Sequence, residues 1–86
     1  MLVSIKILPA DLEVDLVKLK DDIQSALPEE VKVAGSTVEP IAFGLNALIL
    51  QVILPEDRGG DLERLEEAIR ETNGVGETET LMVSRA

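Results

Sequence analysis

The chain has 86 residues, 45% of them hydrophobic, and 8 basic against 17 acidic side chains give a formal net charge of −9. That length corresponds to one small domain, spanning 1–86, with enough apolar surface for a single core. The acidic balance opposes direct binding to nucleic acid or to an anionic membrane, and it favours a protein partner with a basic surface.

Residues 2–8, LVSIKIL, form the first predicted strand, an apolar run that stops at Pro9. The run is too short for the apolar region of a signal peptide with its flanks. No apolar run approaches the ~20 residues of a membrane span, so a cytoplasmic location is expected. Asp15 then precedes Leu16, Leu19, Ile23 and Leu27, a helical stripe for which Asp15 is the expected N-cap and Pro28 the stop. Lys18, Asp21, Asp22 and Gln24 fall away from that stripe. Residues 31–38 are the second predicted strand, with Val31 and Val33 alternating with Lys32 and Ala34. Residues 45–54 are almost continuously apolar, as suits a strand with neighbours on both sides. Asp61 is the expected cap of a second helix, striped by Leu62, Leu65 and Ile69 and stopped by Asn73-Gly74. Residues 77–84 complete the set as a fourth strand, Leu81 and Val83 alternating with Thr80, Met82 and Ser84.

Residues 7–23 and 53–69 repeat one another at a constant offset of 46, with eight of 17 positions identical. The matches are Ile7/Ile53, Leu8/Leu54, Pro9/Pro55, Asp11/Asp57, Asp15/Asp61, Leu16/Leu62, Leu19/Leu65 and Ile23/Ile69. Each copy reads as strand, loop and capped helix. The order β-α-β-β-α-β with this internal symmetry predicts an α+β, ferredoxin-like α/β sandwich: a four-stranded antiparallel sheet with two helices on one face. The apolar first and third strands belong in the middle. The second and fourth carry Lys32, Gly35, Glu77 and Glu79 and suit the edges.

The catalytic inventory is nearly empty. The chain contains no Cys and no His, which removes thiolate nucleophiles, imidazole bases and the usual zinc sites. Ser4, Ser25, Ser36 and Ser84 therefore have no imidazole to activate them. The acidic pairs Asp21-Asp22 and Glu66-Glu67 diverge by about 100° around their helices, so neither converges on a cation. Gly59-Gly60 precedes a helix start, but Glu56, Asp57 and Asp61 around it would repel a phosphate. No metal or cofactor is expected. The pattern points to a binding or regulatory protein and not to an enzyme.

Two features stand apart. Pro40-Ile41-Ala42-Phe43-Gly44-Leu45 lies where the second strand gives way to the third. It places the only aromatic residue at or near a hairpin tip. Composition favours a core position for Phe43, because aromatic rings usually bury their large apolar area; an exposed loop Phe would be a binding anchor instead. Arg85 is an isolated cation after residues 80–84, which carry no charge, and reads on its own as a solubilising terminal group.

At these two features the chain resembles the archaeal elongation factor 1-beta family and the related eukaryotic exchange domain. The residues that carry the resemblance are PIAFGLNAL, the two-helix frame around it and the C-terminal Arg, over essentially the whole length. The resemblance implies the same ferredoxin-like fold. It also implies guanine-nucleotide exchange on the GTPase elongation factor 1-alpha, by release of GDP during translation elongation. It further implies that Phe43, with Pro40, Ile41 and Gly44, packs into that GTPase. Arg85 would then reach its magnesium and phosphate region, where the eukaryotic domain carries Lys. Arg is planar and larger than Lys, so its insertion geometry need not be the same. The alternative is a ferredoxin-like ligand-sensing or oligomerising module, which a defined dimer stabilised by a small metabolite would reveal. An acylphosphatase-like enzyme would need an anion loop with Arg and Asn, a setting that neither Asn46 nor Asn73 has.

Overall fold

The computed structural model describes residues 1–55 and 61–84, Asp61 by its backbone only. Six elements follow one another: β1 (Leu2–Pro9), α1 (Leu16–Ala26), β2 (Lys32–Ala42), β3 (Leu45–Ile53), α2 (Asp61–Glu71) and β4 (Val75–Ser84). The strands pair antiparallel in one sheet of order β2-β3-β1-β4. This is the expected ferredoxin-like sandwich, with the apolar strands inside and the charged ones at the edges.

Period-two alternation decides which residues meet the helices. Val3, Ile5 and Ile7 of β1 stand opposite Val52, Leu50 and Leu48 of β3, and all six are buried. Leu19 and Ile23 of α1 and Leu65 and Ile69 of α2 close over that row and share its core. Each such side chain contributes about 1.5–3 kcal/mol through removal from water. The opposite face of the sheet has no helix over it. There Leu2, Lys6, Leu8 and Ile49 are half-buried, while Gln51 and Ile53 are exposed.

The helix ends follow local chemistry. The Asp15 carboxylate accepts from the Val17 N–H at 2.9 Å and the Lys18 N–H at 3.5 Å, as an N-cap should. Leu27, expected within the helix, is its C-cap in extended conformation (ψ 146°) because Pro28 follows. It remains half-buried against the core. After α2 the chain reverses at Gly74, whose φ of +99° is the left-handed stop expected there. The expected Asp61 cap contact, and the loop holding Glu56, Asp57, Gly59 and Gly60, lie outside the described residues.

Three expectations need correction. First, β2 does not end at Val38. It continues through Pro40, which pairs opposite Asn46, to Ala42 opposite Leu45. An edge strand has no neighbour on its outer side, so the missing Pro N–H is tolerated there. Second, β4 starts at Val75, before the predicted residue 77. Gly76 makes this possible, since a Cβ there would stand 2.9 Å from the Pro9 carbonyl oxygen. Third, the repeat is in step through the helices but not through the strands. Leu19/Leu65 and Ile23/Ile69 are all buried, whereas Ile7 is buried and Ile53 is 46% exposed. Leu54 takes the inward place instead. The strand portion has slipped by one residue relative to the helix, and a one-residue slip turns a side chain to the other face.

Leu50→Ala is expected to destabilise the fold by about 2–5 kcal/mol, since it opens a cavity in the central row. Asp15→Ala should cost about 1 kcal/mol by removing a cap. Urea unfolding followed by circular dichroism checks both; comparable losses would show that the central row does not dominate stability.

Candidate functional site

β2 and β3 are joined by a two-residue loop, Phe43-Gly44, between the paired residues Ala42 and Leu45. Such a loop fits the twist of its strands when both residues have positive φ. Here φ is +50° at Phe43 and +79° at Gly44. Gly44 adopts this freely. Phe43 does not: a bulky L-residue in the left-handed region carries roughly 1–2 kcal/mol of strain.

Phe43 is also 100% exposed, which overturns the core position favoured by composition. The physical reason is topological. The tight hairpin projects beyond the ends of the neighbouring pairs, where no helix lies over it. Strain and exposure thus coincide on the one aromatic side chain, at a position where Asn-Gly would satisfy the turn more readily.

Pro40, Ile41 and Gly44 belong to the same tip. A register shift between Pro40 and Ala42 leaves Ile41 as the extra residue of a bulge, 41% exposed. Residues 40–46 carry no charge, but Glu39 precedes them in β2 and Asp11 lies beside Gly44 and Leu45. The result is an apolar tip on an acidic body. Lys6 and Glu39 form an ion pair of 3.8 Å on the uncovered sheet face. Both groups are partly exposed, so the pair adds little stability.

Arg85 lies outside the described residues. Ser84, the residue before it, pairs with Leu2 at the end of β1 away from the hairpin. The register thus separates Ser84 from the tip by about the length of a strand, roughly 25 Å at 3.3 Å per residue. The tip residues come together, and Ser84 stands at the other end of the sheet from them. Sequence periodicity gave no role to Leu12, which is 67% exposed on the β1–α1 turn beside the tip. The signal for it was a leucine between Asp11 and Glu13 that no helical stripe claims. Among the described residues no group of three or more acidic side chains is placed to hold a metal ion, and no helix is long and apolar enough to cross a membrane.

Residues 2–86 match the family model of the EF-1 guanine nucleotide exchange domain. The chain belongs to this family. It is 44% identical over 85 residues to elongation factor 1-beta of Staphylothermus marinus, covering 99% of this chain and 94% of that one. The corresponding protein of Saccharolobus solfataricus is 45% identical over 85 residues, with 99% and 93% covered. Solved structures add the fold alone. The ACT domain of a GTP pyrophosphokinase from Chlorobium tepidum superposes with a TM-score of 0.64 at 16% identity, covering 94% of this chain and 97% of that one. The C-terminal domain of MgtC from Mycobacterium tuberculosis gives 0.63 at 14%, covering 93% and 84%. As a member of the EF-1 guanine nucleotide exchange domain family, the chain is a nucleotide-exchange factor of translation elongation.

Phe43→Asn should stabilise the isolated exchange domain by about 1 kcal/mol, because it relieves the left-handed strain and loses no buried contact. That corresponds to a rise in melting temperature of about 4–8 °C for a domain of this size. A lower melting temperature in a thermal scan would show that the ring is supporting the fold.

Proposed function

We propose that the chain promotes GDP release from elongation factor 1-alpha, with Phe43 as its apolar anchor and Pro40, Ile41 and Gly44 shaping the surface around it. The observation that carries this reading is the exposed, strained Phe43. Free in solution, such a ring costs the fold; buried in a partner pocket it becomes a contact of the kind that dominates interfaces. The short turn and paired strands hold it in place beforehand, so little ordering entropy is lost on binding.

Arg85 is assigned the second role. Its guanidinium, always charged, would compete with the positive charge of a magnesium ion that helps hold GDP in the partner. Contacts at the tip and beyond Ser84 would engage two separated regions of the GTPase, in keeping with the length of the sheet between them. Exchange then follows from linkage. A protein that lowers the partner's affinity for GDP is itself bound less tightly by the GDP form, in equal measure. The factor opens a route between nucleotide states and leaves their overall equilibrium unchanged. No nucleotide bond breaks, so the role is that of an exchange factor and not an enzyme. The net charge of −9 would speed encounter with a basic face of the GTPase in the cytoplasm.

The test is release of a fluorescent GDP analogue from the cognate elongation factor 1-alpha over a range of chain concentrations. Phe43→Ala is expected to raise the half-saturating concentration by about 30-fold, the loss of a ~2 kcal/mol anchor. Arg85→Ala should lower the maximal rate with a smaller effect on half-saturation. No acceleration by the wild type would overturn the reading. Acceleration unaffected by either substitution would keep the activity and move the site.

A further inference from the structure

We propose that Leu12 is a second apolar anchor for the same GTPase, presented beside the Phe43-Gly44 tip across a small cleft between the β1–α1 turn and the hairpin. The proposal rests on the reading that the hairpin tip engages elongation factor 1-alpha. It adds a residue that the hairpin alone does not contain.

Three observations carry it. The first is continuity: a cleft of about 50 Å³ is lined by Pro9, Leu12 and Leu16 on one side and by Gly44, Leu45 and Asn46 on the other. Leu12 and the tip therefore form one surface. The second is presentation. Leu12 is 67% exposed, yet its turn is pinned at both ends. The Ala10 N–H donates to the Gly74 carbonyl at 2.8 Å, and the missing Cβ of Gly76 lets the Pro9–Ala10 backbone lie close against β4. The Asp11 carboxylate accepts from the Glu13 N–H at 2.8 Å, and Val14 packs against the core. The leucine is held outward by its backbone, with little entropy left to lose on binding. The third is charge. Asp11 borders the cleft, so Leu12 stands beside an acidic group. That setting, on a chain of net charge −9, fits a partner surface with basic groups and disfavours a second copy of this acidic chain.

The experiment is the same exchange assay with the full chain, elongation factor 1-alpha and a fluorescent GDP analogue. Wild type is compared with Leu12→Glu, Leu12→Met and Val17→Glu. Val17 is 72% exposed in the first turn of α1 and does not line the cleft, so it controls for an added surface carboxylate. The expected result is a roughly 10-fold rise in half-saturating concentration for Leu12→Glu, with maximal rate and melting temperature preserved. Leu12→Met and Val17→Glu should stay within about 2-fold of wild type. An active wild type with Leu12→Glu equally active would overturn the second anchor and leave the Phe43 reading standing. Equal weakening by Val17→Glu would also overturn it, by showing a response to charge alone. A wild type that does not accelerate release would bring down the partner reading and the second anchor with it.

Discussion

The buried row of Val3, Ile5 and Ile7 against Val52, Leu50 and Leu48 is the constraint on which the remaining geometry depends. Both helices lie on this side of the sheet, so β1 and β3 must present every second residue inward, in one register and no other. Once that register is set, the position of everything attached to the central strands follows. β3 begins at Leu45, opposite Ala42, so β2 returns to it through a loop of two residues. The same register sends the start of β1 and the end of β4 to the other end of the sheet.

The hairpin tip shows what a stable core makes possible. A two-residue loop over-determines its backbone, so the paired strands can hold even a phenylalanine in the left-handed region. A looser connection would relax and take the ring toward the core or the sheet surface. The strain at Phe43 and the close approach of Gly76 to Pro9 serve the same end of the molecule, where two turns are held in contact. Stability is generated in the middle of the sheet, and the proposed binding surface lies at its end, where loops on a rigid scaffold commonly carry function.

Charge acts over a longer range than these contacts. The acidic side chains are spread over the helices, the edge strands and the turns, whereas residues 40–46 carry none. An uncharged apolar tip avoids the cost of desolvating a carboxylate on binding. The surrounding field can still steer a basic partner toward it. Under the proposed function, affinity and encounter thereby fall to different residues.

Much of the architecture was legible in the sequence because it rests on local rules. Asp15 ahead of a leucine stripe, Asn73-Gly74 after one, and apolar runs in the first and third strands specify caps, stops and central strands through hydrogen bonding and burial within a few residues of each. The motif around Phe43 was likewise visible, and so was the family to which the whole pattern belongs. The facing of Ile53 and the extension of β2 through Pro40 were not, and the exposure of Phe43 followed from the family resemblance and not from composition. Each depends on a partner far along the chain: a register that reverses with one residue, an edge where a proline is harmless, and a tip that no helix covers. Leu12 belongs with them, because only the packing of the β1–α1 turn against β4 and the hairpin turns a lone leucine into part of a surface. Local sequence determined which elements form and where they stop; tertiary contacts decided which faces those elements show, because side-chain direction in a sheet is a property of the pairing and not of the strand alone.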